Sequence, residues 1–423
     1  MVVLMLSVFT VSMGYGIILP LLPYLIERLQ GTSGDAAQVS SATGLLTGLY
    51  TLSLFLFAAF WGHLSDRFGR RLILLVGLIG FSATMLTFTF IENLPAVYAE
   101  RFLSGMFAAA VTPVALAAIG DLAQTEEIRA RRLTFISLAG ISGFLLGPML
   151  GVFLTRGASN WLPVSTAAGS LTVPLAATAL LSLLVAGGVF FTLAEHEPAQ
   201  VAARQKNQTS ANSPYWLVPK LLAISFIVSA GIGAFEVGLA LRGKQELGLT
   251  QYEIASMFTL CSLVMFVMQA IIFSPWIKPQ TTRWFIAPAL AVLAVGLFLV
   301  PRASSFPLML IVIGAVAASA GILSPIITYW ISSKAGKAQG AELGKQTAAA
   351  SLGAAIGSAA GGLLFNVAGL PGASFLLVAA LTIFGMLISF ELPRLLSTQK
   401  LASAIGKVDT PIPRSIPTPD STI

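Results

Sequence analysis

Charged residues, histidine and cysteine are all scarce in this 423-residue sequence. Charged positions make up 10% of the chain and hydrophobic positions 56%, whereas soluble domains carry about 25% charge, which excludes a soluble globular protein. The single cysteine, Cys261, excludes an intrachain disulfide and a cysteine metal cluster. The two histidines, His63 and His196, lie in predicted loops, which argues against a histidine-based metal or catalytic site. We therefore expect no bound metal and no cofactor.

Motifs of nucleotide-driven or enzymatic chemistry are missing as well. No glycine-rich stretch leads into Gly-Lys-Ser/Thr, which argues against ATP-driven transport, and no nucleophile–base pair stands out in the loops. The net charge of +7 comes from basic residues in short loops between apolar runs, a pattern typical of membrane topology and not of nucleic-acid binding. We expect a membrane protein that is not an enzyme and has no nucleic-acid partner.

Apolar segments long enough to cross a bilayer as helices dominate the chain, since about 20 residues suffice. There are twelve, covering approximately residues 3–26, 41–61, 72–91, 96–119, 133–155, 170–194, 217–241, 253–273, 285–302, 306–331, 342–366 and 372–391. No basic residues precede the first one, so it is expected to be a spanning helix and not a signal peptide. The sequence predicts an all-α protein with twelve transmembrane helices in the lipid bilayer.

The longest internal polar stretch divides six segments from six. We predict an N-terminal six-helix bundle at 1–194, a cytoplasmic linker at 195–214, a C-terminal six-helix bundle at 215–392 and a disordered cytoplasmic tail at 393–423. With both termini in the cytoplasm, eighteen Lys and Arg residues fall on the cytoplasmic side and five on the outer side. This positive-inside bias fixes the orientation and predicts that both termini are cytoplasmic. We expect the membrane to be a bacterial cytoplasmic (inner) membrane.

The two halves contain similar short patterns. Val11-Ser-Met-Gly14-Tyr-Gly16 in the first segment recurs as Val228-Ser-Ala-Gly231-Ile-Gly233 in the seventh. The glycine spacing of the fifth segment, at 143–151, recurs in the eleventh at 353–361. Two similar offsets between segments that lie six apart favour parallel repeats of six helices, that is, two pseudo-symmetric bundles.

A short basic loop joins the second and third segments. Its spacing, Gly-x-x-x-Asp-Arg-x-Gly-Arg-Arg, resembles the signature loop of the major facilitator superfamily of transporters. The resemblance implies the major facilitator fold and a cytoplasmic gate. The candidate gate residues are Gly62, Asp66, Arg67, Gly69, Arg70, Arg71 and, at the end of the fourth segment, Asp121.

The resemblance implies that this loop acts as a conformational latch. It implies that Asp66 faces the start of the eleventh segment, near Ala341–Leu343, and that Arg70 pairs with Asp121. The second half carries Lys278 where Arg70 would recur, but the aspartate and glycines are gone, so such a latch is one-sided. The alternative is a topology signal with no switching role.

Two charged residues inside apolar segments, Arg101 and Glu236, are candidates for proton coupling. The Arg-x-x-x-Gly pattern from Arg101 resembles the superfamily's fourth-helix motif, which is linked to proton transfer. Glu236 is the only acid of its segment and lies at similar depth; an acid in an apolar cavity favours its neutral form, as a proton carrier requires. We expect the two to pair or compete across one cavity. The alternatives are a Glu100–Arg101 pair reaching the headgroups, and an interfacial acid beside Arg242.

Helix-packing and helix-bending residues mark the fifth and first segments. The fifth contains an expected antiporter motif: Gly143, Gly147, Pro148 and Gly151. It is similar to the motif of drug:proton antiporters, although Val152 replaces a second terminal glycine. The end of the first segment, Gly14 to Pro23, resembles the first-helix motif of the twelve-helix members of that group, which includes tetracycline exporters. The alternatives are ordinary tight helix packing and simple proline bends.

The resemblance as a whole implies a proton-coupled antiporter that exports a small amphipathic, drug-like molecule by alternating access. Its partners would be protons and the small-molecule substrate, and we expect a monomer. Candidates for lining the substrate cavity are Met13, Tyr15 and Tyr329. Two alternatives stay open: an exporter of a specific metabolite such as a siderophore or sugar, and a non-transporting membrane receptor with the same fold.

Overall fold

Helix is the only regular secondary structure among the residues that the structure describes. The structure is a computed structural model, and it describes residues 1–31, 35–122, 126–161, 169–193, 216–272, 274, 277, 279–334, 339–367, 369–370, 372–393 and 395. Each of the twelve predicted apolar segments contains helix. The predicted all-α membrane architecture is therefore confirmed.

Fourteen α-helices lie in the described ranges. In chain order they are α1 (Val2–Ile18), α2 (Leu22–Gln30), α3 (Ala36–Phe68), α4 (Arg70–Phe88), α5 (Leu94–Ala108), α6 (Thr112–Leu122), α7 (Glu126–Trp161), α8 (Gly169–Thr192), α9 (Leu217–Leu241), α10 (Gln251–Ile272), α11 (Ile286–Leu299), α12 (Phe306–Lys334), α13 (Gln339–Leu363) and α14 (Ala373–Ser389). A π-helical turn, Arg242–Glu246, follows α9, and two 3₁₀ turns, Pro279–Phe285 and Val300–Arg302, flank α11.

These helices account for the twelve predicted membrane segments. Nine spans in the described residues are long and apolar enough to cross a membrane, one of them the combined α5–α6 unit, Leu94–Ile119. The first segment is the pair α1–α2, bent by 49°. Pro20 lies in the break, where its missing N–H and fixed φ prevent a continuous helix. The eleventh and twelfth segments are α13, which is rich in alanine and glycine, and α14, which has 17 residues.

Each half of the chain has its own apolar core. One buried cluster consists only of residues between Leu4 and Val189. A second consists of residues between Leu217 and Leu392, joined by Leu19 from the bend after α1. Each half therefore buries its own apolar surface, with the bend of the first segment reaching into the second core.

The two halves contain equivalent close helix contacts at corresponding positions, so the pseudo-symmetry extends to individual residue contacts. On α7, a Cβ added to Gly143 or Gly147 would collide with backbone oxygens of α1, at Phe9 and Met13. On α13, Gly353 and Gly357 approach α9 in the same way, at Phe226 and Ala230. The offsets are those of the sequence repeat, 210 for the glycines and 217 for their partners. Small residues thus let α1–α7 and α9–α13 pack backbone to backbone.

The halves meet along α3 and α13 through small residues as well. A Cβ on Gly44 would lie 2.6 Å from the Cα of Gly362, and one on Gly48 would lie 2.8 Å from the carbonyl oxygen of Ala355. Only glycine permits so close an approach between two helices. This contact brings the halves together beside the central cavity.

Candidate functional site

A cavity of about 360 Å³ lies between the two halves. This volume is within the range typical of small-molecule sites, roughly 300–1,000 Å³. Its lining from the first half is Val11, Ser12, Tyr15, Tyr50, Thr51, Leu54, Ala108, Thr112, Gly140, Ile141 and Phe144. Its lining from the second half is Ser229, Ile232, Gly233, Glu236, Ser262, Met265 and Ala354.

Glu236 is the one charged side chain among these lining residues. It lies in α9, and its carboxylate Oε2 accepts a hydrogen bond of 2.9 Å from the hydroxyl of Tyr15 in α1. The bond joins side chains of different halves. Since Glu236 lines the cavity and bonds to Tyr15, the alternative of an interfacial acid beside Arg242 is wrong. Arg242 pairs with Glu246 and donates to the carbonyl of Ala303 at 2.8 Å.

Two aromatic rings stack against Tyr15 and hold it in place. The ring of Tyr50 stacks on it with centroids 5.0 Å apart and an interplanar angle of 19°. The ring of Phe144 lies on it at 5.8 Å and 26°. These contacts come from α3 and α7, so three helices of the first half fix the hydroxyl that meets Glu236.

Arg101 forms a buried ion pair with its neighbour. Its guanidinium donates to both carboxylate oxygens of Glu100, at 2.7 and 3.0 Å, and the two side chains are only 2% and 3% exposed. The guanidinium also lies 5.6 Å from the ring centroid of Tyr50 and 4.9 Å from that of Phe88. Because the pair is buried, the alternative of a pair reaching the headgroups is wrong.

The predicted pairing of Arg101 with Glu236 is also absent from this structure. Tyr15 and Tyr50 line both the main cavity, which Glu236 also lines, and a small void, which Arg101 also lines. The stacked tyrosines therefore form a partition between Glu236 and the Glu100–Arg101 pair. The sequence offered a Glu100–Arg101 pair, but not its burial: Glu100 neutralises Arg101 locally, so this cation has no need of a distant acid.

A polar network connects the halves beyond the cavity. We call this end of the molecule, defined by Tyr24, Glu27, Ser40, Lys244, Gln245 and Asn366, the interlocked end. Lys244 donates to the carbonyl of Pro23 at 2.9 Å and pairs with Glu27. Tyr24 donates to the carbonyl of Leu249 at 2.7 Å.

Three further side chains complete this network. The amide of Asn366 donates to Ser40 at 2.7 Å and to Gln245 at 3.0 Å, and the amide of Gln245 donates to the carbonyl of Ala36 at 3.2 Å. Sequence reasoning did not single out any of these residues, since they belong to no motif and their pairing depends on how the halves meet.

The cavity extends away from the interlocked end. Val11 and Ser12 precede Tyr15 in α1, and Ser229 and Ile232 precede Glu236 in α9; all four line the cavity. Both helices run toward the interlocked end, where Tyr24 and Lys244 follow them. In the described structure, the two halves are therefore joined by hydrogen bonds at the interlocked end, and the cavity lies on the opposite side of Glu236.

The basic loop is more helical than the sequence predicted. α3 continues to Phe68, and only Gly69, with φ +90°, breaks the chain before α4 begins at Arg70. Gly69 is therefore needed for its backbone conformation. Gly62, expected to allow a close approach, has open space where a Cβ would lie and makes no such contact here.

Asp66 and Arg70 form an ion pair within the loop. Arg70 forms an ion pair of 2.6 Å with Asp66, one helical turn away, and also donates to the hydroxyl of Ser65. The expected partner Asp121 has a side chain outside the described residues, as does Ala341; Lys278 lies outside them altogether. The guanidinium of Arg67 lies 5.3 Å from the ring centroid of Phe68, and that of Arg71 lies 4.6 Å from the ring centroid of Phe190.

The expected antiporter motif packs on the helix that carries Tyr15. Pro148 lies inside α7, and a Cβ on Gly16 would be 3.3 Å from its ring. A Cβ on Gly151 would be 3.3 Å from the side chain of Ile17, which extends the contact by another turn. The motif thus positions α1, and through it the hydroxyl of Tyr15.

Of the three residues expected to line the cavity, the structure places Tyr15 there and the other two elsewhere. Met13 packs with Ile17 and Leu21 in a separate buried cluster. Tyr329 is 38% exposed, and its ring lies edge-on against Trp330. Helices that are apolar all round carry no periodicity that would identify their cavity face.

Two pseudo-symmetric helical halves around a central cavity are the architecture of membrane transporters that work by alternating access. The comparison with known families agrees with the geometry. The chain belongs to the Major Facilitator Superfamily, whose sequence profile matches residues 4–341. It is an integral membrane protein of a family of transporters.

Similar proteins cover most of the chain. Multidrug resistance protein 2 of Bacillus subtilis (strain 168) is 26% identical over 377 residues, which cover 86% of this chain and 88% of that protein. The quinolone resistance protein NorA of Staphylococcus aureus (strain MSSA476) is 27% identical over 371 residues, covering 86% and 89%. The crystal structure of the human organic anion transporter MFSD10 (TETRAN) is similar in fold, with a TM-score of 0.71 at 20% identity, covering 92% of this chain and 98% of that one.

Proposed function

We propose that this protein is a proton-coupled antiporter that exports a small amphipathic, drug-like molecule by alternating access. The observation that carries the proposal is the single acid, Glu236, in an aromatic and otherwise uncharged cavity between the halves. The names of the bacterial relatives, a multidrug resistance protein and a quinolone resistance protein, support drug-like compounds as substrates.

The cavity suits an amphipathic molecule with one polar or cationic group. Tyr15, Tyr50, Phe144 and Met265 offer flat and polarisable apolar surfaces, on which ring systems of different shapes can stack. Glu236 offers the one charge. Protonation of this acid removes the charge and so weakens the hold on a cationic or polar group, which gives the proton and the substrate a common site.

The described conformation corresponds to the inward-facing state under this proposal. The positive-inside pattern assigns the interlocked end to the outer side and both termini to the cytoplasm. The cavity then extends from Glu236 toward the cytoplasm, the side from which an exporter binds its substrate. The bacterial relatives favour the cytoplasmic (inner) membrane. The two cores support rocking halves, with boundaries at 1–194 and 215–392, and we propose that the protein acts as a monomer.

The gate and motif residues take supporting roles in this scheme. When the cytoplasmic side closes, Asp66 would face the start of the eleventh segment and Arg70 would pair with Asp121, in the way that the family resemblance implies. Arg101 would act on the outer side of the tyrosine partition and not by pairing directly with Glu236. The motif from Gly143 to Gly151 would keep α7 and α1 moving as one body.

The proposal is tested in inverted membrane vesicles that are acidified inside by respiration and monitored with a pH-sensitive dye. Ethidium or norfloxacin added to wild type should be taken up, and protons should leave the vesicles in exchange. Glu236→Gln should abolish this exchange, because an amide does not carry a proton. Glu253→Gln serves as the matched control, since Glu253 lies at the start of α10, outside the cavity lining, and its carboxylate accepts from the backbone and hydroxyl of Thr250.

A Glu236→Gln variant with wild-type proton exchange would contradict the proposal. If wild type exchanges protons with neither compound, a thermal-shift screen of metabolites tests the exporter of a specific metabolite. The absence of proton-dependent flux of every compound tested in proteoliposomes would favour a receptor.

A further inference from the structure

The hydrogen bond between Tyr15 and Glu236 joins the two halves at the cavity itself. Tyr15 belongs to α1 and Glu236 to α9, and each of these helices is held to its own half by glycine contacts, from Gly143 and Gly147 in one half and from Gly353 and Gly357 in the other. Movement of one half against the other must therefore change the distance between the hydroxyl and the carboxylate. The bond is specific to one arrangement of the halves.

Tyr15 is built to hold a defined position. Its ring stacks against those of Tyr50 and Phe144, with centroid distances of 5.0 and 5.8 Å. Gly16, the next residue, lies against the backbone of Phe144 so closely that a Cβ there would be 3.1 Å from its carbonyl oxygen. Little freedom remains for the hydroxyl to follow Glu236 if α9 moves away, so the bond would break.

The strength of this bond depends on the state of Glu236. A hydrogen bond to an ionised carboxylate is about twice as strong as one between neutral groups. The other titratable or charged groups around the carboxylate, within the described residues, are Tyr50 on α3, Cys261 on α10 and the Glu100–Arg101 pair behind the tyrosine partition. Since that ion pair is neutral overall, Tyr15 is the direct polar partner that responds to the charge of Glu236.

We propose that Tyr15 is a positioning residue that holds the empty, ionised transporter in the inward-facing state until a proton or a substrate engages Glu236. This rests on the proposed function. An antiporter must not change state while empty, because an empty return after proton release lets protons cross without substrate. The Tyr15 bond is at full strength only when Glu236 is ionised and no substrate is bound. This is the state in which the protein must not change from inward-facing to outward-facing.

The test uses purified protein in proteoliposomes with an imposed pH gradient and no substrate, and it measures proton entry with a trapped pH-sensitive dye. Tyr15→Phe removes the hydroxyl and keeps the ring in its stack. We expect substrate-free proton entry to rise about tenfold or more, which corresponds to the loss of one hydrogen bond to a charged group. Tyr98→Phe on α5 removes a tyrosine hydroxyl that does not line the cavity, and its substrate-free proton entry should stay at the wild-type level.

Equal substrate-free proton entry in wild type and Tyr15→Phe, with ethidium-driven exchange intact in both, would overturn the role of Tyr15 alone. Failure of wild type to exchange protons for ethidium would instead overturn the proposed function, so the two failures are distinguishable.

A second variant approaches the same bond from its other end and does not depend on the folding of Tyr15→Phe. Spin labels at Arg28 and Tyr252, exposed on opposite halves near the interlocked end, report its opening in a Cys261→Ser background. Glu236→Gln replaces the charged acceptor with a neutral one and should populate a longer label distance in the absence of substrate. A distance distribution identical to that of the protein with Glu236 intact would overturn the proposal.

Discussion

Lys244 gives the sharpest prediction about the balance between the two states. Its ammonium donates to the carbonyl of Pro23 at 2.9 Å, pairs with Glu27 and lies 4.6 Å from the ring centroid of Tyr24. All three partners belong to the first half, whereas Lys244 belongs to the second. Lys244→Met keeps the length of the apolar stem and removes the charge, so it should weaken the closed interlocked end without disturbing either core.

The magnitude follows from the burial of each partner. The Lys244 side chain is 11% exposed, so its bond to the Pro23 carbonyl contributes about 1.5–3 kcal/mol as a bond to a charged group. Glu27 is 60% exposed, so the ion pair adds at most about 1 kcal/mol. Taking the bond to the carbonyl as the dominant loss, the ratio of closed to open protein should fall by about 10- to 150-fold, at about 1.4 kcal/mol per tenfold.

Distances between spin labels at Arg28 and Tyr252 measure this ratio in detergent or nanodiscs. Arg302→Gln is the matched control, because Arg302 is a cation near the interlocked end that donates only within its own half, to the carbonyl of Phe298 at 2.7 Å. The control should leave the distribution unchanged. An unchanged distribution in Lys244→Met, or an equal shift in both variants, would refute the reasoning that this network closes the outer side.

Two other predictions concern stability. Glu100→Gln leaves Arg101 buried without its counter-charge and should lower the free energy of unfolding by about 3–5 kcal/mol. A double variant that neutralises both residues should lower the free energy of unfolding by less. Thermal unfolding in detergent compares the two variants. Gly143→Ala places a Cβ against the carbonyl oxygen of Phe9 and should lower the free energy of unfolding by about 1–3 kcal/mol, whereas Gly187→Ala, which has open space around it, should be neutral or stabilising. Equal melting temperatures for the two glycine variants would contradict the close α1–α7 contact.

The helices and the repeat could be predicted because their signals are local in the sequence. Apolar length alone identifies the twelve segments, and Pro20 predicts the break between α1 and α2. The offsets of 217 and 210 predicted that α1 corresponds to α9 and α7 to α13, and the glycine contacts with Phe9 and Phe226 show that the two pairs pack in the same way. Glu236 could be identified because burying a lone acid in an apolar membrane segment costs free energy, so such residues generally mark functional sites.

The rest depends on which helix faces meet, and no local signal reports that. The bond from Tyr15 to Glu236 crosses 221 positions of the chain, and both helices are apolar all round. The Glu100–Arg101 pair was visible in the sequence, but its burial follows from the packing of Tyr50 and Phe88 against it. The interlocked end uses common polar residues whose partners are set by the approach of the two halves.

The central claim is that a proton bound at Glu236 moves in one direction as the substrate moves in the other. The most direct measurement places purified protein in liposomes, imposes only a pH gradient and follows ethidium, a permanent cation. We predict that ethidium moves from the alkaline to the acidic side against its own gradient, that reversing the pH gradient reverses this movement, and that Glu236→Gln shows neither. Ethidium movement that ignores the direction of the pH gradient, or that persists in Glu236→Gln, would contradict the account.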